Sequence, residues 1–476
     1  MIIEYGPSVC TLRGDSGETE AVRALLTFRL DAKPFDPIVF LTEENQFLTG
    51  LYPDVAASLR SQGWEVETRG YAPPGATHDD LRQHPIPSLR GIEWRDYQIA
   101  MVRKAILGGR GTIDMATGAG KTEVGAGIVR WYLETGKASR ALWVVNNLRL
   151  LQQTRERLLD RGFEAVGVVM GQETDLGPPL VVGMVQSLFR RMRKDHALME
   201  WLEGVDVLVF DEAHHLPART WTCLASACRN AHYRFGMSAT AYDPEEPRVE
   251  DWTLRGITGP PLGYVPSWVL RQQGVLAEPE VVLISYSERR FHGDQWAKVY
   301  RHGIVENDER NALIADLAVE ASRRGSRVLV FIAHVQHGKT LLEMICQHGA
   351  EARFCKGDEE MFSDDAQQET VTSSLREVQT WMRAEGSITI ATSVFDEGID
   401  VSEVDCLILA GGMKSHRRTV QRIGRGLRRK EGSNICRVYD FLDVAHPFLK
   451  SQTNKRLATY QRERISVRRE VRKISI

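Results

Sequence analysis

The stretch VLVFDEAHH, from Val207 to His215, joins an apolar run to a cluster of charged side chains. Its apolar residues lead directly into the carboxylates of Asp211 and Glu212, and two histidines follow. Two carboxylates at the end of a buried strand are costly unless a cation lies beside them. The pattern therefore predicts a site in which a metal ion or another cation offsets these acids.

The segment MATGAGKT, from Met115 to Thr122, has the composition of a phosphate-binding loop. It follows a short apolar run and opens the helical stretch KTEVGAGIVRWYLE, which is the context such a loop needs. Gly118 and Gly120 let the backbone curl so that amide groups face phosphate oxygens. We expect Lys121 to pair with the β- and γ-phosphates and Thr122 to bind Mg²⁺. Met115 stands where the strict pattern has glycine, so only the variant form matches.

The two motifs together predict a nucleotide site that hydrolyses ATP. Ligands of open parallel sheets bind at the carboxyl ends of the strands, where Asp211 is expected. Asp211 would hold the Mg²⁺ bound to the nucleotide, and Glu212 would orient or deprotonate the attacking water. A strand end that simply turns to solvent explains one acid, but it does not explain the combination with the phosphate loop.

A third motif, QRIGRGLRRK, is strongly basic and lies far along the chain. On a helix, its residues Gln421, Arg425 and Arg428 fall on one face because they are spaced by four and three positions. If the chain has two lobes, arginines of the lobe that contains this motif can act on a γ-phosphate bound by the lobe that contains the phosphate loop. A basic surface helix is the alternative, and it is favoured only when the motif is considered alone.

These motifs need elements to position them, and the chain supplies two series of short apolar runs separated by helical patterns. Such runs are typical of a parallel sheet covered on both faces, so the predicted fold is α/β with two tandem parallel-sheet lobes. The first series comprises Gly111–Asp114, Ala141–Val145, Val166–Val169, Leu180–Gly183, Val205–Phe210 and Tyr233–Met237. The second series comprises Val328–Ile332, Ala352–Phe354, Ile388–Ala391, Cys406–Leu409 and Val438–Phe441.

The predicted domains are a small N-terminal α+β unit at 1–90, lobe 1 at 91–270 and lobe 2 at 271–476. In the N-terminal unit, AVRALLTFRL, PIVFLT and WEVETR are expected to be strands and YPDVAASLRSQG a helix. A proline-rich joint follows and marks the boundary. The unit carries no ATPase motif, so we expect it to recognise nucleic acid. The basic C-terminal end is either a solvated face or a tail that contacts phosphates.

Six motifs in order resemble those of superfamily 2 helicases and translocases, and this resemblance implies that both lobes are RecA-like. WRDYQ resembles the adenine-reading element, MSAT contains the segment that links hydrolysis to lobe movement, and ATSVFDEGIDV is similar to motif V. The group that contains phage UvsW, XPB and the RIG-I-like proteins is the most similar branch, and the UvsW type is the most similar within it. The linking residues implied are Ser238, Ala239 and Thr240. The nucleotide-binding residues implied are Arg95, Gln98, Thr117, Gly118, Ala119, Gly120, Lys121, Thr122, Gly398 and Asp400.

The resemblance also implies contacts with a nucleic-acid strand, although two segments depart from the family pattern. WVVNNLRLLQQ lacks the usual Pro-Thr, and VVGMVQSL lacks the usual threonine. The candidate nucleic-acid contacts are Asn146, Asn147, Gln186, Ser187, Thr392 and Ser393. His214 is expected to bridge motif II to Gln421, and His215 is interpreted as a surface histidine.

Net charge, cysteine spacing and hydropathy argue against several other classes of protein. With 61 basic and 63 acidic residues the net charge is −2, which excludes a uniformly basic coat but permits a local cationic groove. The seven cysteines form no CxxC pair, which favours free thiols in a reducing cytoplasm. No apolar run approaches the ~18 residues of a membrane span, and no signal peptide is recognisable.

The sequence therefore predicts an ATP- and Mg²⁺-dependent DNA helicase or translocase of 3′→5′ polarity that remodels branched DNA. Branch migration, fork regression and R-loop unwinding are the activities the resemblance implies, with roles in DNA repair and recombination. Predicted partners are single-stranded, duplex or branched DNA, or RNA, together with other replication or recombination proteins. The alternatives are an XPB-like duplex translocase and an RNA-binding ATPase that acts as a sensor or clamp, because phosphate contacts alone do not distinguish the nucleic acid.

Overall fold

The computed structural model describes residues 1–30, 33–70, 76–242, 248–287, 290–355, 380–392, 404–412, 416–427 and 434–472. The chain divides into two compact units, one made of Met1–Ala116 and Gly120–Val265 and the other of Thr117–Ala119 and Pro266–Ile476. The division into three parts at 90 and 270 stays a prediction. Within the described part of the chain, no helix combines the length and apolarity that crossing a membrane requires.

The N-terminal part of the first unit is a small α+β structure. Its sheet has the strand order β5-β2-β1-β6, and β3 pairs separately with β4. The strands are β1 Ile2–Tyr5, β2 Val9–Arg13, β3 Thr27–Leu30, β4 Lys33–Val39, β5 Gln46–Leu48 and β6 Glu67–Gly70. The helices are Ser16–Leu25, Tyr52–Ser61 and His78–Gln83, and Thr49–Leu51 forms a 3₁₀ turn.

One strand prediction in this part is wrong. AVRALLTFRL begins inside the helix Ser16–Leu25, and only its end forms the strand β3. The helix starts at a capping box in which the Glu18 amide donates to Asp15 at 2.8 Å and the Asp15 amide donates to Glu18 at 3.0 Å. These two hydrogen bonds satisfy backbone amides that otherwise lack a partner at the start of a helix. They favour a helix here over the strand that the apolar run suggests.

The rest of the first unit is the lobe that carries the phosphate loop. Its sheet has the order β10-β9-β11-β8-β12-β13-β7-β14 and is parallel except for the pair β9–β10. The strands are β7 Arg110–Met115, β8 Ala141–Val145, β9 Gly167–Met170, β10 Glu173–Thr174, β11 Leu180–Met184, β12 Val207–Asp211, β13 Tyr233–Ser238 and β14 Pro261–Val265. The helices are Asp96–Gly108, Lys121–Glu134, Leu148–Asp160, Val185–Arg191, His196–Glu203, Arg219–Ala227 and Val249–Thr258. All six predicted strands of the first series are confirmed.

The N-terminal part packs directly on this lobe. Arg110 and Arg234 lie opposite each other on β7 and β13, and they are only 5% and 2% exposed. Arg110 donates to the carbonyl of Pro7 at 3.1 Å, and Arg234 donates to the hydroxyl of Ser8 at 2.6 Å. Burial lowers the pKa of Arg234 to about 9, so these hydrogen bonds offset the cost of holding its charge away from water.

The second unit contains the other lobe. Its sheet has the order β17-β18-β16-β19-β20-β15-β21, and all pairs are parallel. The strands are β15 Glu278–Ser285, β16 Val328–Phe331, β17 Ala352–Cys355, β18 Ile388–Ala391, β19 Cys406–Leu409, β20 Ile435–Phe441 and β21 Ser466–Val471. The helices are Ser267–Gln272, Trp296–Tyr300, Asp308–Arg323, Val335–Gln347, His416–Gly426 and Pro447–Arg462. The predicted strands of the second series are confirmed, and so is the prediction of two parallel α/β lobes.

The basic C-terminal end forms the edge strand β21. Arg472 donates to Glu320 at 2.8 Å and to Glu470 at 2.7 Å. Arg468 lies 3.5 Å from Glu470. The charges of these arginines are therefore shared with acids of the same lobe.

Candidate active site

The phosphate loop lies between β7 and the helix Lys121–Glu134, as its sequence predicts. Gly118 and Gly120 have φ angles of +81° and +85°, in the left-handed region that favours glycine. These angles turn the backbone so that the helix begins at Lys121 with its amides facing the loop. The Lys121 ammonium donates to the Met115 carbonyl at 3.2 Å, which places its charge over the loop. The arrangement is suited to polyphosphate.

The predicted adenine-reading residue lies beside this loop. Gln98 is 3% exposed on the first turn of the helix Asp96–Gly108, and its Oε1 accepts from the Arg95 amide at 3.1 Å. A side chain at Gly120 would collide with Nε2 of Gln98, so the two residues are in immediate contact. Gln98 is thereby held in one orientation next to the loop, as reading a base requires.

Asp211 ends the buried strand β12 and is 8% exposed. Burial, and after it the negative charge of Glu212, raise the pKa of Asp211 to about 6, against the opposing effect of the positive charge of Lys121. The carboxylate therefore lies within electrostatic reach of the loop lysine and gains from another cation. Asp211 and the Thr122 hydroxyl stay the predicted ligands of the nucleotide's Mg²⁺. The described residues contain no cluster of three or more His, Cys, Asp or Glu that could hold a metal ion by themselves.

Glu212 follows with a φ of +49°, a left-handed conformation that is uncommon for a residue other than glycine. Its amide donates to Asp211 Oδ1 at 3.0 Å. This conformation turns the Glu212 side chain away from the strand direction, and His214 Nδ1 lies 3.3 Å from Glu212 Oε2. Strained backbone of this kind occurs at functional sites, which agrees with the predicted role of Glu212 in activating water.

His214 also joins the DEAH segment to the SAT segment. Its Nδ1 lies 3.2 Å from the hydroxyl of Ser238, which in turn accepts from the Thr240 amide at 3.1 Å. The DEAH and SAT segments are therefore in direct contact in this lobe. The predicted bridge from His214 to Gln421 stays a prediction.

His215 is partly buried, and it has contacts that its interpretation as a surface histidine does not include. Its ring stacks on Trp221, which is 4% exposed, with centroids 5.9 Å apart, and Nε2 lies 3.4 Å from the Asn146 amide. The Asn146 carbonyl accepts from Gln186 Nε2 at 2.8 Å. His214 and His215 have ring centroids 4.2 Å apart. A series of side-chain contacts thus connects Glu212, through the two histidines, with the segments predicted to contact nucleic acid, and we name it the histidine relay.

Asn147 and Ser187, two further predicted nucleic-acid contacts, make hydrogen bonds within the lobe that stabilise its fold. Asn147 caps the helix Leu148–Asp160, with its Oδ1 accepting from the Leu150 amide at 2.9 Å. Ser187 is 5% exposed and its hydroxyl accepts from the Gly171 amide at 2.9 Å. Their nucleic-acid contacts stay predictions, and these bonds favour a supporting role for Ser187.

The predicted residues of the second lobe are only partly described. Thr392 follows β18 with 8% exposure, and its amide donates to the Cys355 carbonyl at 3.3 Å. Gln421 is 4% exposed on the helix His416–Gly426, which contains the first part of this motif, and the predicted shared face of Gln421, Arg425 and Arg428 stays a prediction. The described residues do not include Ser393, Gly398, Asp400, Arg428 and the side chain of Arg425.

The histidine relay predicts that nucleic-acid stimulation depends on His215. His215→Phe keeps an aromatic ring on Trp221 but removes the contact with Asn146, a hydrogen bond worth about 1 kcal/mol. We expect stimulation of the ATPase by nucleic acid to fall about tenfold while basal turnover is kept. Asn146→Ala should have the same effect, and the double variant should add nothing. Additive losses, or a loss of basal turnover, would contradict the relay.

Two stretches of the chain match known domain families. Residues 91–243 match the family described as the res subunit of type III restriction enzymes. Residues 309–430 match the helicase conserved C-terminal domain. The first match contains the phosphate loop and the DEAH segment, and the second contains motifs V and VI. The chain belongs to superfamily 2 of the helicases and translocases.

Superfamily 2 relatives align with most of this chain. The ATP-dependent DNA helicase uvsW of Enterobacteria phage T4 is 25% identical over 379 residues, which are 77% of this chain and 71% of that protein. The DNA 3′-5′ translocase XPB2 of Sulfurisphaera tokodaii is 23% identical over 416 residues, 77% of this chain and 90% of that protein.

A solved structure shares the superfamily 2 fold. A fragment described as the HsdR subunit of a type I restriction enzyme from Vibrio vulnificus has a TM-score of 0.62 at 17% identity, covering 84% of this chain and 72% of that one. The likeness concerns the fold alone. The two family matches show that the chain is an ATP-dependent superfamily 2 helicase, which binds nucleic acid.

Proposed function

We propose that this protein is a DNA helicase or translocase that remodels branched DNA by branch migration, fork regression or R-loop unwinding. The observation that carries the proposal is the histidine relay. It connects Glu212 with His214 at 3.3 Å, His214 with the tilted ring of His215, and His215 with Asn146, whose carbonyl accepts from Gln186. A motor needs such a connection between ATP turnover and its track. DNA as the track is supported by the names of both relatives, and 3′→5′ polarity by the name of the translocase XPB2 alone.

In the proposed reaction, Lys121, Thr122 and Asp211 hold ATP and Mg²⁺. The metal, when bound, neutralises charge on the phosphate oxygens. Lys121 places its ammonium over the loop, and Glu212 takes the proton of the attacking water. His214 contacts both the Glu212 carboxylate and the Ser238 hydroxyl. Through these contacts, a conformational change at the nucleotide is transmitted to the SAT segment.

The second lobe is proposed to complete the reaction through motif VI. Arg425 and Arg428 would stabilise charge on the γ-phosphate, and Gln421 would orient the groups around it. Gly398 and Asp400 are proposed nucleotide contacts, and Thr392 and Ser393 are proposed strand contacts. The N-terminal unit, 1–90, is proposed to recognise branched nucleic acid. The partners proposed are DNA and other replication or recombination proteins, and a cytoplasmic location stays a prediction.

A duplex DNA translocase that strains DNA without extensive unwinding is the second candidate. It is favoured by the translocase XPB2, of which the alignment covers 90%. Both candidates use the same ATPase site. They differ in the nucleic acid that stimulates turnover most.

The proposal is tested by ATPase stimulation with matched lengths of single-stranded DNA, duplex DNA, a four-way junction and duplex RNA. All are measured at one salt concentration, because phosphate contacts make affinity salt-dependent. The junction is expected to give the lowest half-stimulating concentration. Equal stimulation by linear duplex and junction would favour the duplex translocase, and stimulation by duplex RNA alone would overturn both.

A further inference from the structure

The second lobe carries a cluster of aromatic side chains that the ATPase reaction does not use. Trp296 and Phe448 are each 42% exposed, and their ring centroids lie 6.4 Å apart in an edge-to-face arrangement. Trp296 also packs on Tyr300 at 5.3 Å, and Phe448 packs on His446 at 5.1 Å. We name Trp296, Tyr300, His446 and Phe448 the aromatic platform. Its two outer rings present large apolar faces to solvent, which a soluble lobe has no reason to keep for its own stability.

The aromatic platform lies at the carboxyl edge of the lobe's sheet. The Tyr300 hydroxyl donates to the Gly411 carbonyl, beyond the end of β19, at 2.7 Å. Its ring is 5.2 Å from that of His334, which follows β16, and His446 follows β20. Ligands of open parallel sheets bind outside this edge. Thr392, a proposed strand contact, follows β18, the next strand to β16 in the sheet, and so lies at the same edge.

The platform is held rigidly from below. His446 Nε2 lies 2.9 Å from the Gly293 carbonyl, and its Nδ1 accepts from the Phe448 amide at 3.2 Å. Tyr300 of the platform belongs to a buried apolar cluster with Ile304 and Leu449, which are at most 1% exposed. Little conformational freedom is therefore lost when a flat ligand stacks on the outer rings, which favours binding by stacking.

The size of the exposed surface decides what kind of ligand fits. Aromatic side chains offer ~150–250 Å² each, so two rings at this exposure leave on the order of 200 Å². A stable protein interface needs about 800 Å² from each partner. A nucleobase needs only one ring face, and stacking on aromatic side chains is a general way of holding unpaired strands. Lys298 and Lys450, both exposed and close in sequence to the rings, add positive charge for the backbone.

We propose that Trp296 and Phe448 form a stacking site for unpaired bases of the strand that the second lobe holds. The proposal rests on the proposed function, because it names how that strand is held. Stacking is indifferent to base identity, so the site adds affinity without sequence preference. It also favours strands with unpaired bases over intact duplex, whose bases already stack on each other.

The test compares ordinary single-stranded DNA with DNA of the same length that carries an abasic stretch. Trp296→Ala and Phe448→Ala are expected to weaken binding of ordinary DNA about tenfold each, as the loss of one stacked base does. Abasic DNA keeps the phosphates but offers nothing to stack, so the wild type should bind it as weakly as the variants do. The salt dependence of binding should not change, since no phosphate contact is removed.

Two control variants separate stacking from structural damage. Ile435→Ala removes a side chain that is 49% exposed at the opposite end of β20, and it should leave DNA affinity unchanged. Trp296→Phe keeps a ring face and should restore most of the affinity. Basal ATPase should be normal in every variant, because none of these residues belongs to the nucleotide site.

Equal weakening on ordinary and abasic DNA would overturn the stacking proposal, and so would unchanged affinity in both alanine variants. The second result would leave a protein partner as the reason for the exposed rings. Failure of the proposed function is a different result: the wild type itself would then show neither DNA binding nor stimulated turnover, whatever happens at Trp296.

Discussion

Glu212→Gln is expected to reduce ATP hydrolysis by about 10²–10⁴, the contribution of a positioned general base, while nucleotide binding is kept. Glutamine has nearly the shape of glutamate, so the left-handed backbone at this position and the packing near His214 are retained. Asp211 still supplies the carboxylate for the metal. Single-turnover hydrolysis and equilibrium binding of a fluorescent ATP analogue would measure the two effects separately.

The matched control is Lys121→Ala, which removes the ammonium that lies over the phosphate loop. This variant should lose nucleotide affinity as well as turnover, because the lysine acts on the bound phosphates before any chemistry occurs. Glu212→Gln should therefore lose turnover alone, whereas Lys121→Ala should lose both turnover and nucleotide affinity. Near wild-type hydrolysis in the Glu212→Gln protein would show that another group activates the water.

Elements that a short continuous segment specifies could be predicted from the sequence, because the information that determines them is local. β8 is buried at every position, and the helix Lys121–Glu134 starts where the phosphate-loop pattern places it. Gly118 and Gly120 occur at the positions where the backbone has positive φ angles. In each case residues close together in the chain determine the structure, so a single sequence suffices.

Contacts between distant segments could not be predicted in the same way. His215 follows the DEAH segment and looks like a surface residue until Trp221 and Asn146 are brought beside it by the fold. The helix Ser16–Leu25 was missed for a local reason, since the capping pair of Asp15 and Glu18 was present in the sequence but outweighed by the apolar run that follows.

The attachment of the N-terminal unit is another long-range feature, and it changes the expected result of removing that unit. Trp252 of the phosphate-loop lobe packs in the core of the N-terminal unit, and Leu48 packs against the core of the lobe. Phe40 stacks on Trp252 with ring centroids 5.7 Å apart. A Cβ at Gly50 would collide with the backbone of Arg255. The two parts therefore share apolar surface as one folded body does.

A protein that begins at Leu89 is accordingly expected to lose stability before any loss of substrate preference can be seen. Each large apolar side chain that becomes exposed costs about 1.5–3 kcal/mol, and Arg110 and Arg234 lose hydrogen bonds with Pro7 and Ser8. We expect the melting temperature to fall by about 10 °C or more, with low soluble yield. Thermal unfolding followed alongside basal ATPase would measure this.

Recognition of branched DNA by the N-terminal unit is therefore better tested in the full-length chain. Arg60→Gln and Arg69→Gln remove charges from exposed positions of this unit, and because a surface ion pair such as Arg69–Glu67 is worth at most about 1 kcal/mol, they should change the melting temperature little. If the unit contacts branched DNA, these variants bind a four-way junction less tightly but bind linear duplex as the wild type does, at one fixed salt concentration. An unchanged ratio of the two affinities would limit the unit to its structural role, in which it covers one end of β7 and β13 while the phosphate loop and Ser238 lie at the other.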